Sequence, residues 1–392
     1  MGVVMGRVRR WAAFSVLLVL PMAEGCAGFF PATSSTSGGS TVTNAGDYAY
    51  VASSYASGST AVYTLSGFSV GTGTLTALSG FPITLPFAPT ATVINPSNTI
   101  LYVAGLGVIY GYTISSAGAL TSIESNGSVA LANANVVSMD ISPDGQWMFA
   151  LDANGIAVDE FQIQSGGVLA STTGASYAVT NGGTVVPSSI RVSQNESSPW
   201  VAISLGTGGD ILYSFTTSTG AITEVTQVNP PTASSSDQAL AFDAAGATLY
   251  LARSGTDGGL IPYTISSNGS LSAVSGAPYA LGSGPSSIVI DATGKYIYVG
   301  NKVSSTISGF SIGTGAVLTP LAGSPYASGS GVSSLGRDNS GDYILATALG
   351  GSPDVQMYSF SSTTAGMLTA SGTASTGDPN EPAGAVSVSM TR

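Results

Sequence analysis

The chain has 392 residues, of which 43% are hydrophobic and only 7% charged, with a formal net charge of −11 and no histidine. It is long enough for one large repeat domain or two average ones, and its charged fraction lies far below the roughly 25% of ordinary soluble proteins. The few basic residues are too scattered to track a phosphate backbone, which excludes nucleic-acid binding.

In chain order, Arg7, Arg9 and Arg10 form a positive n-region ahead of the apolar stretch "WAAFSVLLVLPM". That stretch is shorter than the about 20 residues needed to span a bilayer, so residues 1–25 read as a signal peptide. Cys26, the single cysteine, follows in "AEGC". The placement resembles a bacterial lipoprotein signal, in which the cysteine is acylated and becomes the new N-terminus. Ala23 and Glu24 depart from that pattern, and ordinary signal cleavage nearby is the alternative. Residues 26–45, "CAGFFPATSSTSGGSTVTNA", read as a flexible lipid-anchored linker, and the folded domain is expected over 46–392. Without residues 1–25 the chain keeps 6 basic and 19 acidic residues, a net charge of −13.

An internal repeat then runs to the C-terminus. Tyr50, Tyr102, Phe149, Trp200, Tyr250, Tyr298 and Ile344 recur at intervals of 46 to 52 residues. Each is followed by a second aromatic, Phe68, Tyr112, Phe161, Phe215, Tyr263, Phe310 or Phe360. Before each first aromatic stands an apolar run ending in a turn, such as "ATVINPSN", "SMDISPDG", "LAFDAAG" and "SIVIDATG". Asn, Asp, Pro and Gly are the residues tight turns require, and the runs alternate with period two and are rich in Val, Ile, Tyr and Thr. No amphipathic helix is expected beyond the signal segment. Four short strands per repeat, seven times over, predict an all-β, seven-bladed β-propeller with four antiparallel strands per blade. The first repeat lacks its innermost strand, and "EPAGAVSVS" at 381–389 matches it; the C-terminal strand is expected to close the first blade. A Ser/Thr/Gly-rich β-helix is the competing fold.

The residues "PDGQWMFA" (143–150), "DATGKYIYVGN" (291–301), "GAPY" (276–279) and "GSPY" (323–326) resemble those of the seven-bladed lactonase family, the 6-phosphogluconolactonase-like propellers and their YVTN-repeat relatives, over about residues 46–392. The resemblance implies hydrolysis of a sugar lactone at the mouth of the central channel, by a base that activates water and donors that stabilise the oxyanion. It also implies His, Arg and Glu near the channel and an Asn-Glu pair after a second strand. Here Asn301-Lys302 stands at that pair. The positions expected to open the inner strands are Thr90, Val137, Ser188, Gln238, Ser286, Ser333 and Ala383, none of which titrates.

Asp237 and Glu381, one residue or so ahead of that ring, are the candidate catalytic bases; the alternative is that they cap loops. Arg253, Asn301, Lys302 and Asp152 are candidate ligand-binding residues at the mouth, where Arg253 and Lys302 on adjacent blades would hold a small anion; the alternative is solvated loop charges. Asp140 and Arg191, at one depth on consecutive inner strands, are expected to form a structural inter-blade ion pair. No metal or cofactor is expected. Three functions follow: an exported cell-envelope propeller, monomeric and lipid-anchored, that binds a small anionic ligand or an envelope protein; a lactone hydrolase with a remodelled site; or a structural or adhesive surface protein.

Overall fold

A computed structural model describes Gly2 and residues 47–391, apart from 58, 124–127, 171–175, 179–183, 198, 231 and 377–382. The chain divides into two units, Met1–Val42 and Thr43–Arg392; the fold concerns the second. The expected signal segment, linker, Cys26 and Glu381 lie outside the described residues.

Among its described residues, the second unit is all β apart from two single-turn 3-10 segments, Ser165–Gly167 and Thr314–Ala316. Most sheets are four consecutive antiparallel strands, as in Ser236–Phe242, Thr248–Ser254, Gly259–Ile265 and Leu271–Ala273. The inner hairpin turns form because a polar side chain caps them. Asp291 Oδ1 accepts the N–H groups of Lys295 (2.8 Å) and Tyr296 (2.7 Å). Asp243 Oδ1 accepts those of Ala247 and Thr248 (2.8 and 3.1 Å), and Asn95 Oδ1 those of Thr99 and Ile100 (both 2.9 Å). The turn residues of the repeat are thus local capping chemistry.

The expectation of seven blades is corrected to six. Among the described residues there are six sheets, because the second and third repeats fuse into one seven-stranded sheet. Strand Ser128–Ile141 is 14 residues long. Its first half pairs with Ile100–Ile114 (Leu106↔Asn135, Val108↔Ala130), and its second half pairs with Trp147–Asp152. The connector between these repeats reads "SVALANANVV", whose alternation lets it extend the inner strand instead of looping between separate blades.

Closure by the C-terminus holds. Ala383–Met390 pairs antiparallel with Tyr48–Ser57, from Ala49↔Met390 to Tyr55↔Ala383, and Tyr48 N–H donates to Thr391 Oγ1 at 2.9 Å. The register differs from expectation. In five of the other repeats one inner-strand residue bulges out of the ladder: Thr90, Val137, Gln238, Ser286 and Ser333. In the terminal strand the bulged residue is Val386, between Ala385 and Ser387, so Val386 and not Ala383 completes the ring. The Ala, Val and Ser of this segment offer no landmark that would fix the register in advance.

Apolar clusters lie between neighbouring sheets, as where Tyr50, Ala52 and Leu65 pack on Leu101, Val103 and Tyr112. The repeated aromatic also clasps the next repeat. Tyr50, Tyr102 and Tyr298 donate their hydroxyls to the carbonyls of Gly118 (2.8 Å), Gly167 (2.7 Å) and Gly366 (2.5 Å). Each of those glycines has a positive φ, between 74° and 82°, the region an L side chain rarely adopts.

A second clasp rings the channel. Ser286 Oγ sits 3.1 Å from Gly300 O in its own sheet and 2.7 Å from Val332 O in the next. Ser188 Oγ stands likewise between Ser204 O and Asp237 O, both at 3.1 Å. Thr90 Oγ1 bonds Val136 O, and Ser333 Oγ bonds Ala385 O at 2.5 Å. Ser286→Ala strips Val332 O of this donor, and a buried acceptor left unmet costs about 1–3 kcal/mol. We expect a lowered urea midpoint with an unchanged m-value, and near-complete recovery in Ser286→Thr; a midpoint equal to that of the parent would show that the clasp contributes nothing.

Candidate functional site

Ionisable side chains come together at the mouth side of the fourth and fifth repeats and in the axial channel, among other places in the described residues. At the mouth, Asp237 near the start of Ser236–Phe242 faces Arg253 across the ladder. Arg253 Nε donates to Asp237 Oδ1 at 2.5 Å and Nη2 to Oδ2 at 2.9 Å, with relative exposures of 5% for Arg253 and 0% for Asp237. A bidentate, charge-assisted pair of this kind is strong and geometrically specific. Burial works against the guanidinium charge, but the hydrogen bonds and negative charge of Asp237 hold the Arg253 pKa above its ordinary value.

Asp210, which opens strand Asp210–Phe215, joins them and was not singled out from the sequence. It is 3% exposed, and neither of its carboxylate oxygens makes a hydrogen bond of ordinary geometry. Burial pushes its pKa well above the carboxylate range, and the charge of neighbouring Asp237 pushes it further; Arg253 and the Ser204 hydroxyl pull the other way. Tyr263 stands by the same guanidinium, its phenol pushed up by burial and partly lowered by Arg253. The available signal was one acid heading the otherwise apolar run "DILYSF".

The other mouth candidates separate. Asp152 is 6% exposed and caps its loop: Oδ1 accepts N–H groups from Asn135 (2.7 Å) and Asn154 (2.9 Å), and Oδ2 accepts that of Gly155 (2.8 Å). Asn301 is fully buried; its Nδ2 donates to Ser308 Oγ at 3.0 Å and Thr306 Oγ1 at 3.2 Å, and its Oδ1 has no partner. Lys302 is exposed. Arg253 and Lys302 therefore do not form a matched pair of mouth cations, since Arg253 is neutralised by Asp237.

The channel encloses a cavity of about 580 Å³. It extends from the hydroxyl layer (Thr90, Ser188, Ser286, Ser333) towards the inner hairpin turns, and its lining includes Asp140, Arg191 and Arg337. Titratable groups thus do face the channel, three to four positions deeper along the strands than the ring read from sequence. Asp140 Oδ1 accepts the N–H of Ile141 and Oδ2 that of Val192, both at 2.9 Å. Arg191 Nη1 donates to Ile190 O at 2.7 Å and Ser138 Oγ at 3.2 Å. Asp140 therefore ties its strand to the next repeat through the backbone N–H of Val192.

Removing one partner of a buried ion pair leaves the other charge uncompensated, at about 3–5 kcal/mol. Arg253→Ala is expected to lose that much in denaturant unfolding, while Lys302→Ala stays within about 0.5 kcal/mol of the parent. Equal, small effects at both positions would remove the cluster from any structural account.

With this geometry in place, comparison with known proteins gives the following. Residues 200–380 match the family described as "Lactonase, 7-bladed beta-propeller". A Bacteroides uniformis protein solved as a candidate 6-phosphogluconolactonase superposes with a TM-score of 0.69 at 18% identity, covering 88% of this chain and 99% of that one. The periplasmic gluconolactonase of Pseudomonas aeruginosa superposes with a TM-score of 0.66 at 14% identity, over 88% and 99%. A Lactobacillus plantarum protein gives a TM-score of 0.68 at 13% identity, over 88% and 100%. No curated protein matches the chain. The chain shares the β-propeller fold of these solved structures, and at these identities the likeness extends to fold alone.

Proposed function

We propose that the chain is an exported, lipid-anchored propeller of the cell envelope that binds a small anionic ligand in its central channel without turning over lactones. The observation that carries this reading is the placement of the cations. Of the five basic side chains among the described residues, Arg191 and Arg337 line one cavity of about 580 Å³. That volume lies in the range of small-molecule sites, roughly 300–1,000 Å³. The lining acids Asp243 and Asp291 cap their own turns, and Asp140 accepts two backbone N–H groups. Arg191 and Arg337 are the cationic groups of this lining, and a guanidinium holds a carboxylate through charge-assisted hydrogen bonds.

Lactone hydrolysis is the second reading. A protonated Asp210 beside Asp237 is the kind of acid–base pair a hydrolase uses, and the Pseudomonas aeruginosa relative is a gluconolactonase. Against it, Asp237 is 0% and Asp210 3% exposed, and a general base must reach the water it activates.

Titration calorimetry with gluconate is expected to give saturable binding that glucose does not compete for. Arg191→Gln and Arg337→Gln should each weaken it about 10- to 100-fold, the worth of a hydrogen bond to a charged group. The same preparation should hydrolyse glucono-1,5-lactone no faster than buffer. Turnover lost in Asp237→Asn would install the hydrolase reading, and absence of gluconate binding would end the channel reading. For the anchor, the full-length chain expressed in bacteria should partition with membranes and incorporate labelled palmitate at Cys26. Cys26→Ser should lose both, and an unlabelled, soluble parent would exclude the anchor.

A further inference from the structure

The buried acids at the mouth support a step beyond ligand binding. Asp210 and Asp237 belong to different sheets, the first to Asp210–Phe215 of the fourth repeat and the second to Ser236–Phe242 of the fifth. The joint between these sheets is already tied by backbone: Asp237 N–H donates to Gly206 O at 3.0 Å, and Ser188 Oγ lies 3.1 Å from Asp237 O. Asp237 gives both of its carboxylate oxygens to Arg253. Neither Asp210 oxygen makes a hydrogen bond of ordinary geometry, although the residue is 3% exposed, and the donor beside it is the Ser204 hydroxyl. A buried carboxylate without such bonds is among the most costly groups a protein can hold.

Charge counting resolves the paradox. Two ionised carboxylates against one guanidinium would leave a net negative charge in a site closed to water. One proton makes the site neutral, and it also turns Asp210 into a donor whose natural acceptor is the adjacent Asp237. We propose that Asp210 and Asp237 share one proton and, with Arg253, form a pH-operated latch that joins the fourth and fifth repeats at the mouth of the ring. The charged and titratable groups facing it are Arg253, from Thr248–Ser254, and Tyr263, from Gly259–Ile265; the Ser204 hydroxyl, from Trp200–Ser204, completes the surround. Burial and the charge of Asp237 both raise the Asp210 pKa, in keeping with a retained proton.

The direction of the pH effect follows. The pKa of Asp210 is raised on folding from its ordinary value of 3.8. Below that value folded and unfolded chains both carry the proton, and the latch contributes in full. As the pH rises, the unfolded chain sheds the proton while the folded chain must keep it, and the contribution is lost through the folded-state pKa. Alkaline pH therefore loosens the joint.

Asp210→Asn supplies a permanent N–H donor in place of the titrating one. Thermal unfolding of the protein and of this variant, from about pH 3 to about pH 9, should give the smallest difference in midpoint at the acid end. The parent should fall progressively below the variant as the pH rises. Hydrogen exchange at the amides of 205–209 and 236–238 should accelerate with pH in the parent, beyond the intrinsic rate, and not in the variant. Parallel melting profiles would overturn the latch. If the variant does not fold, the parent decides alone: at neutral pH its infrared spectrum should contain the C=O stretch of a protonated carboxylic acid that bleaches at alkaline pH, and a spectrum without that band overturns the proposal.

Discussion

The structure depends on how the innermost strand of each repeat disposes of its unpaired edge. Such a strand has a ladder partner on one side only, and its other row of N–H and C=O groups faces the axis. Groups of this kind must be paired or hydrated. The ring meets the demand with short hydroxyl side chains. Ser188, Ser286 and Ser333 reach the carbonyls of Asp237, Val332 and Ala385 in the next repeat. One layer deeper the direction reverses, and Ser138, Ser287 and Ser387 accept the N–H groups of Ile190, Leu335 and Thr92 at 3.1–3.2 Å. A hydroxyl can do both because it is donor and acceptor at once, and it brings no charge that would need neutralising. The low charge of the chain and its wealth of Ser and Thr are two sides of this one requirement.

The bulge makes the arrangement possible. One extra residue in the inner strand re-aims a side chain out of the ladder, and the bulged position is where Thr90, Ser286 and Ser333 stand. Where that residue carries no suitable hydroxyl, the bond moves inward. Val137 is followed by Ser138 and Asp140, which accept from Ile190 and Val192, and Val386 by Ser387, which accepts from Thr92. Gln238 turns back to Ser236 Oγ at 2.5 Å. The joint beyond it rests on packing of Ala239, Tyr250 and Leu260 against Ile288 and Val299. Asp140, expected from the sequence in an ion pair, also takes part in this backbone accounting through the N–H of Val192.

What the sequence made legible was whatever repeats. The aromatic anchors, the capped hairpin turns and the closing strand recur with the same local chemistry, so each copy supports the others. The departures lie where a copy is singular. The connector 128–135 joins the second and third repeats into one sheet, because its alternation is as strand-like as the strands it links. The terminal strand sits three residues from its expected register, because Ala, Val and Ser mark no position. Asp210 escaped notice because a lone acid at a strand start is ordinary in sequence. Its meaning appears only when Asp237 and Arg253, 27 and 43 positions further on, are folded against it.

The same hydrogen-bond economy bears on chemistry. Acyl transfer requires donors held in reserve for an oxyanion that exists only in the transition state, together with a base open to water. In the axial wall the Ser188, Ser286 and Ser333 hydroxyls are engaged between repeats, and at the mouth Asp237 is buried against its guanidinium. A hydroxyl that holds two sheets together cannot turn to an oxyanion without opening the joint. The groups of the wall that combine a fixed position with positive charge are Arg191, pinned by Ile190 O and Ser138 Oγ, and Arg337. A guanidinium is planar and carries several donors, the chemistry on which the proposed recognition of an anion rests.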